Sequence, residues 1–442
     1  MARSANAGWL HFLLLPAVCF FLSASVQGAD WPQWRGPERN GVSKEIGLLK
    51  SWPASGPPLV WTYTECGAGY SGPAIVGDRL YIMGARGDTE FLLALDVKSG
   101  KEVWAARIGP TFTFKGNEWG DGPRATPSVD GALVFALGAQ GDLICAETAT
   151  GKERWRVSLA KELEGEVSPL GGNTWSVGWG FTASPLIDGE RVICAPGGKQ
   201  GLLVALDKQT GKPIWRSKDL PGAATYASPI VAKIDGVRQY IQLMDDGVAG
   251  VSAEDGRLLW HYLKKPPYQD VLIPTPIQLD HFVYITAGYG AGCDLVKITK
   301  AGDRFKADKV YANKIMVNQQ GGVVLVGDNL YGYSEGKGWT CQDFKSGKSV
   351  WADKRKLGRG SVVFADGHLY CYAEDDGIAA LVDASPRGWK EISRFEIPKK
   401  TKIAKPGGKI WTHPVVANGQ LFLRDQDLLF CFDVSDHAAG SK

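Results

Sequence analysis

Residues 71–104 read SGPAIVGDRLYIMGARGDTEFLLALDVKSGKEVW, and this stretch carries the pattern that decides the fold. A small residue and Pro73 lead into a short apolar run, a Gly-Asp turn and a second apolar run. A Gly-containing turn and a third apolar run follow, and the stretch closes with Asp-Val-Lys-Ser-Gly-Lys and Trp104. Short apolar runs separated by Gly and Asp turns predict antiparallel β-hairpins.

The same phrase recurs along the chain, which predicts a repeat architecture. Full copies span residues 125–155, 183–215 and 227–260, and weaker copies span 274–310, 321–351 and 360–395, with an eighth from residue 412. The copy at 274–310 lacks the closing Trp. The turn glycines, from Gly100 to Gly388, recur every 41 to 60 residues, a spacing typical of four-stranded blades.

The two ends of the repeat array complement each other. The eighth copy ends near residue 434 without an outer strand, and residues 59–63 (LVWTY) supply a strand before the first copy. A ring closed by that N-terminal strand would leave no open sheet edge at the junction. The sequence therefore predicts an all-β chain with a single eight-bladed β-propeller of four-stranded antiparallel blades over residues 59–435. Residues 29–58 are expected to pack on the ring as an extension, and residues 436–442 to form a tail.

The start of the chain has the layout of an export signal. Arg3 lies in a short polar start, residues 9–22 are almost wholly apolar, and small or polar residues follow. We predict a signal peptide over residues 1–28, with cleavage after Gly28 or, as a near rival, after Ala29. The apolar core is too short for a stable membrane span, and no later segment is long enough. An exported protein, periplasmic or secreted, without a transmembrane segment is expected.

The composition excludes some classes of function. Hydrophobic residues make up 44% and charged residues 22% of the 442 residues, as in an ordinary folded protein. The net charge of +3 argues against a dedicated nucleic-acid binder. Walker loops, zinc-ligand spacings and Ser-His-Asp signatures are absent from the sequence, so nucleotide and hydrolase readings lack support.

The end of each repeat carries a specific motif, Ala-x-Asp-x-x-(Thr/Ser)-Gly-x-x-x-Trp, seen at residues 94–104 and 205–215. Asp and Ser or Thr can cap the turn, Gly supplies a positive φ, and Trp packs between blades. This motif resembles the tryptophan-docking motif of the PQQ-type (quinoprotein) propeller repeat family. The opening Trp-Pro-Gln-Trp-Arg-Gly-Pro at residues 31–37 is similar to exported bacterial members. The family includes PQQ-dependent alcohol dehydrogenases and BamB-like scaffolds that bind no quinone.

The repeat alignment also accounts for most cysteines. Cys145, Cys341 and Cys431 occupy the position of the small residue that precedes the Asp turn, and Cys194 and Cys371 align with each other in the second strand. These positions lie on different blades, and the sequence contains no Cys-x-x-Cys pair. We therefore expect seven reduced, structural cysteines in the mature chain.

The alignment predicts which residues ring the mouth of the central channel. In each blade, the residue three positions before the Pro-equivalent position is expected to face the channel mouth. His413, directly before Pro414, is a candidate titrating group there. Two arginines among aromatics and amides suit a planar anionic ligand such as PQQ, which has three carboxylates. The alternative is that these side chains hydrate the channel or bond to neighbouring carbonyls. The predicted ring consists of Tyr70, Arg124, Thr182, Tyr226, Ile273, Gln320, Arg359, Trp411 and His413.

Three functions remain open from the sequence. The leading one is a non-catalytic, monomeric binding scaffold of the cell envelope, for a protein segment or a small anionic ligand. The second is a PQQ-dependent alcohol dehydrogenase-like oxidoreductase, which would need PQQ with Ca²⁺ held by carboxylates. Candidate carboxylates occur at 118 and 121, 245–246 and 374–376, but the chain is shorter than those enzymes and lacks their vicinal Cys pair. A third is polysaccharide binding by exposed aromatics such as Trp119, Trp175 and Trp179.

Overall fold

A computed structural model describes residues 1, 29–170, 176–264, 271–403 and 406–436. The predicted signal peptide (apart from Met1), Trp175 and residues 437–442 of the predicted tail lie outside the described residues. The described residues form 32 strands in eight four-stranded antiparallel sheets, and no helix occurs among them. None of this part of the chain therefore forms a helix that could cross a membrane.

The strands, numbered in chain order, are arranged as eight blades of a β-propeller, as the sequence predicts. Strand β1 (Leu59–Tyr63) precedes the first blade. Blade 1 comprises β2 (Ala74–Val76), β3 (Arg79–Arg86), β4 (Thr89–Asp96) and β5 (Glu102–Pro110), and blade 2 comprises β6 (Ser128–Asp130), β7 (Leu133–Leu137), β8 (Asp142–Glu147) and β9 (Glu153–Ser158). Blade 3 comprises β10 (Leu186–Asp188), β11 (Arg191–Cys194), β12 (Val204–Asp207) and β13 (Pro213–Arg216), and blade 4 comprises β14 (Ile230–Ile234), β15 (Val237–Met244), β16 (Gly247–Ser252) and β17 (Leu258–Leu263). Blade 5 comprises β18 (Ile277–Leu279), β19 (Phe282–Ala287), β20 (Gly292–Ala301) and β21 (Arg304–Asn313), and blade 6 comprises β22 (Val323–Val326), β23 (Asn329–Ser334), β24 (Gly338–Asp343) and β25 (Ser349–Asp353). Blade 7 comprises β26 (Gly360–Ala365), β27 (His368–Ala373), β28 (Ile378–Asp383) and β29 (Glu391–Glu396). Blade 8 contains β30 (Val415–Ala417), β31 (Gln420–Asp425) and β32 (Leu428–Asp433).

The ring closes through the two ends of the array. Blade 8 has the strand order β30-β31-β32-β1, so the N-terminal strand is its outer strand. Strand β1 pairs antiparallel with β32, and Trp61 lies opposite Cys431. The predicted closure is confirmed, and it gives the last blade the same four strands as the others.

The repeated motif forms the turn before each outer strand. In three blades the Asp carboxylate accepts a backbone N–H from the Ser or Thr three residues later, at 2.8, 2.8 and 2.7 Å for Ser99, Thr210 and Ser346. The glycine that follows has a positive φ, 67° at Gly100. Local side-chain capping and glycine therefore build the turn, as the motif predicts.

In several blades the closing aromatic residue donates a hydrogen bond to the next blade. The Trp61 indole donates to the Val97 carbonyl oxygen at 2.8 Å, and the Trp155 indole donates to the Lys208 carbonyl oxygen at 2.9 Å. In blade 5, where the sequence has no Trp, Tyr311 takes its place and its hydroxyl donates to the Phe344 carbonyl oxygen at 2.8 Å. Trp260 differs, because its indole donates to Gln239 of its own blade.

All seven cysteines among the described residues are free and buried. Cys145, Cys341 and Cys431 each lie directly opposite the docking Trp of their blade. A larger side chain would collide with the indole, so a small apolar residue fits this position. The structural role expected from the alignment is confirmed for these three.

Residues 31–45, here called the plug segment, close one end of the channel. Arg35 and Arg39 are buried, with 4% and 2% of their surfaces exposed, and both have positive φ values. The segment bonds to residues in or just before the innermost strand of every blade. In blade order the partners are the Ile75 carbonyl oxygen, the Val129 N–H, the Ser184 and Pro229 carbonyl oxygens, the Thr275 hydroxyl, and the Val323, Phe364 and Val416 carbonyl oxygens.

The docking of an aromatic ring onto the next blade can be tested with two glycines. A Cβ at Gly100 would lie 2.5 Å from the Trp61 indole, whereas a Cβ at Gly87 meets nothing within 4 Å. Both have similar positive φ values, 67° and 63°. We expect Gly87→Ala to cost about 1–2 kcal/mol for backbone strain alone. Gly100→Ala should cost about 1–3 kcal/mol more, because the ring must move. Urea unfolding of both variants measures the difference, and equal losses would contradict ring docking at this glycine.

Candidate functional site

A cavity of about 340 Å³ lies at the centre of the ring. All eight predicted ring positions, one per blade, and His413 line it. Trp34 also lines it, so the plug segment forms its inner end. The structure thus brings the predicted residues together, and their binding of a ligand stays a prediction. Sequence reasoning missed Ser184 and Ser228, although both directly precede a Pro, as His413 does. It also left Trp34, Val271, Tyr289, Gln319, Gly407 and Lys409 out of the ring.

Arg124 is a cation in the cavity wall, and its hydrogen bonds go to backbone carbonyl oxygens. Its guanidinium donates to the Gly120 and Gly122 carbonyl oxygens, both at 2.7 Å. The guanidinium carbon lies 5.5 Å from the centre of the Tyr70 ring and 5.2 Å from that of Phe112. Burial lowers the pKa of Arg124. No ion pair joins it to a carboxylate of the described residues, so its charge is available to an anionic group in the cavity.

Arg359 is already paired. Its guanidinium contacts the Glu374 carboxylate at 2.5 Å, and the side chain of Glu374 is only 1% exposed. Gln319 and Gln320 complete the cluster, since Arg359 donates to the Gln319 side-chain oxygen and Gln320 donates to Glu374. Burial raises the pKa of Glu374, and the charge of Arg359 opposes that shift. Arg359 therefore serves first as the counter-charge of a buried carboxylate.

Aromatic rings form most of the remaining wall. Tyr70 and Trp411 have ring centres 5.1 Å apart, and Trp179 lies 5.3 Å from Tyr226 and 6.0 Å from Trp119. The Tyr226 hydroxyl donates to the Ser168 carbonyl oxygen at 2.7 Å, which fixes its ring. The wall can therefore contact a planar or apolar group over a large area.

His413 does not supply a group that titrates near neutral pH. Burial, with the nearby charge of Arg35, lowers its pKa to about 3. Its Nε2 donates to the Gln320 carbonyl oxygen at 2.7 Å, because a carbonyl can only accept. The ring is 4.7 Å from Trp34, so a neutral imidazole packs on the plug segment.

The donor set does not fit a calcium-bound quinone. No Asp or Glu is among the described residues that line the cavity. The candidate carboxylates are engaged elsewhere: Asp121 accepts from Asn117 at 2.8 Å, Asp246 contacts His261 at 3.1 Å, and Glu374 pairs with Arg359. Within the described ranges no three His, Cys, Asp or Glu side chains are grouped as metal ligands. Ca²⁺ needs several oxygen ligands, with carboxylates among them, and the cavity wall offers cations instead.

Comparison with known proteins identifies the relatives of this chain. A family model described as outer membrane protein assembly factor BamB matches residues 88–353. The outer membrane protein assembly factor BamB of Burkholderia pseudomallei (strain K96243) is 29% identical over 182 residues, which are 36% of this chain and 45% of that protein. The serine/threonine-protein kinase AfsK of Streptomyces griseus is 29% identical over 175 residues, which are 38% of this chain and 19% of that protein. The chain thus spans less than half the length of these curated relatives.

Solved structures share the fold. BamB from Moraxella catarrhalis superposes with a TM-score of 0.55 at 16% identity, covering 83% of this chain and 95% of that one. A europium-containing methanol dehydrogenase superposes with a TM-score of 0.60 at 13% identity, covering 89% of each chain. At these identities the likeness concerns the fold alone, and both BamB and a methanol dehydrogenase have this fold.

The Arg359–Glu374 pair gives a testable consequence for stability. We expect Arg359→Ala to destabilise the protein by roughly 3–5 kcal/mol, because it leaves a buried carboxylate without its counter-charge. The double variant Arg359→Ala with Glu374→Ala should be less destabilised than the single Arg359→Ala variant, since no buried charge remains unpaired. Denaturant unfolding of the wild type, both singles and the double measures the coupling. Additive losses would show that the pair does not act as a unit.

Proposed function

The chain belongs to the family described as outer membrane protein assembly factor BamB, and from this premise we propose that it is an exported, non-catalytic binding scaffold of the cell envelope. The observation that carries the proposal is the central cavity of about 340 Å³, walled by aromatic rings and cations. A wall of this kind can bind and orient a ligand, and its described residues include no carboxylate to act as the base that a dehydrogenase would need.

Arg124 defines the chemistry of the partner. It is a largely buried cation whose hydrogen bonds go to neutral carbonyl oxygens of its own loop. An incoming carboxylate would supply the missing counter-charge, and the aromatic wall would contact the group attached to that carboxylate. The ligand is therefore an acidic protein segment or a small planar anion, taken up by a monomer.

The proposal is tested with two probes, a fluorescent acidic peptide and PQQ, each titrated with and without Ca²⁺. We expect saturable binding of at least one probe that does not require Ca²⁺. Arg124→Gln, which keeps N–H donors for the loop carbonyls but removes the charge, should weaken binding by tenfold or more, as loss of a buried charge pair does. Arg257→Gln is the matched control, because that arginine lies at an exposed turn of blade 4 and should leave affinity unchanged.

The alternative function has a distinct outcome. A Ca²⁺-dependent change in PQQ absorbance, together with alcohol-dependent reduction of an artificial electron acceptor, would establish the dehydrogenase and overturn the scaffold. If neither probe binds the wild type at millimolar concentration, the cavity is not a site for anions, and the proposed ligand class is wrong.

Export is tested separately by fractionation of cells that produce the full chain. We expect the protein in the periplasmic or secreted fraction, shortened by the predicted signal peptide, because residues 9–22 have the length of a signal core. Sequencing the mature N-terminus checks cleavage after Gly28. Full-length protein confined to the cytoplasmic fraction would contradict the proposed localisation.

A further inference from the structure

Two loops carry much of the cavity wall. Residues 111–124, which follow β5, bear Trp119 and Arg124, and residues 176–182, which precede β10, bear Trp179 and Thr182. Neither loop is held by a strand ladder of its own. What fixes them relative to each other therefore decides the shape of the cavity.

One buried carboxyl group joins both loops. Glu90 of β4 has no exposed surface. Its Oε1 accepts the Phe112 N–H and its Oε2 accepts the Ala139 N–H, both at 3.0 Å. The carbonyl oxygens of these two residues make the next hydrogen bonds. The Phe112 carbonyl oxygen accepts the Gly122 N–H at 3.0 Å, and the Ala139 carbonyl oxygen accepts the Phe181 N–H at 2.9 Å.

The packing around Glu90 is tight in this arrangement of the loops. A Cβ at Gly138 would lie 2.8 Å from the Glu90 Oε2, and a Cβ at Gly180 would lie 2.9 Å from the Phe112 ring. That same ring lies against the Arg124 guanidinium. Glu90 thus stands behind the cavity wall without lining it, and the contacts from its two oxygens end at Arg124 and at the residues flanking Trp179.

We propose that Glu90 is a positioning residue that ties these two loops together, so that the cavity is held closed or loosened by the protonation of one carboxyl group. This inference concerns regulation of the site. The link from loop geometry to ligand binding rests on the proposed function, whereas the pH dependence of the loops does not. A glutamine has one accepting oxygen and one donating group, as the protonated carboxyl group does, so Glu90→Gln is the uncharged counterpart of the protonated state.

The charges that face Glu90 come from two elements. Arg124 of the first loop favours the ionised form, and Asp142 of β8 disfavours it, while Arg156 lies 3.7 Å from Asp142. The strand neighbours of Glu90, Ala85 on β3 and Gly109 on β5, carry no charge. Burial outweighs the other effects and raises the pKa of Glu90 to about 7.

The direction of the pH effect follows from proton linkage. In loosened loops Glu90 meets water and has its ordinary pKa of 4.5, whereas in the closed arrangement its pKa is about 7. Between these values the closed arrangement binds more protons, so acid favours closure and the tie loosens as the pH rises. For a single group this amounts to about tenfold more frequent opening at pH 8 than at pH 6.

Hydrogen exchange of the full-length protein tests the inference without any ligand. Protection factors, corrected for intrinsic exchange, are measured for residues 111–124, 138–141 and 176–182 between pH 6 and pH 8. We expect protection to fall about tenfold in the wild type as the pH rises. In Glu90→Gln, which cannot ionise, protection should be nearly independent of pH. Glu254→Gln, an exposed glutamate in blade 4, should behave as the wild type.

Two results would overturn the inference: pH-independent protection in the wild type, or the same pH dependence in Glu90→Gln as in the wild type. The outcome is distinguishable from that of the binding tests. If a probe binds but loop protection does not depend on pH, only the proposed role of Glu90 is wrong. If loop protection depends on pH but no probe binds, only the proposed function is wrong.

Discussion

The structure depends on the docking of an aromatic ring from one blade onto the turn of the next. Each contact joins a buried or half-buried aromatic side chain, its N–H or hydroxyl donor and a glycine at positive φ. The contact repeats around the propeller with Trp61, Trp104, Trp155 and Tyr311. An aromatic side chain contributes a large apolar area at little entropic cost, and its single donor fixes its orientation. Blades that could not bury both faces alone are stabilised by their neighbours in this way. Strand β1 extends the same contact across the junction between the chain ends.

Closing the ring creates a channel, and the plug segment turns that channel into a cavity. The inner ends of eight sheets present carbonyl oxygens, and buried polar groups of this kind need donors. Arg39 donates to the Ser184, Pro185 and Pro229 carbonyl oxygens, and Arg35 donates to the Val323 carbonyl oxygen, so both arginines satisfy acceptors in the interior. Burial lowers the pKa of Arg35 to about 10 and that of Arg39 to about 9, and both remain cations at neutral pH. Without the plug, Trp34 would not line the cavity and His413 would face an open channel.

Charge in the cavity wall is organised so that different groups have different roles. Arg359 pairs with Glu374, Arg124 hydrogen-bonds to carbonyl oxygens of its own loop, and Glu90 lies behind the wall. Because burial raises the pKa of both carboxyl groups, each depends on its partners: a guanidinium for Glu374 and backbone N–H groups for Glu90. In the proposed function, one residue would bind the ligand and another would set the loop geometry. The site would then respond to pH without a titrating group in contact with the ligand.

The sequence alone determined the number of blades, the closure by residues 59–63 and the positions around the channel mouth. These features are local. Each copy repeats the same turn motif, the same apolar runs and the same offset from Pro, so aligning the copies identifies equivalent positions. The tertiary structure decided the contacts between residues that do not occupy equivalent positions in the repeats. Arg39 bonds to Ser184 across 145 residues, and Glu90 bonds to Ala139 across 49. The plug, the pairing of Arg359 with Glu374 and the neutrality of His413 belong to this class. No repeat pattern encodes them, because hydrogen bonds and burial depend on which groups the closed ring brings within about 3 Å of each other.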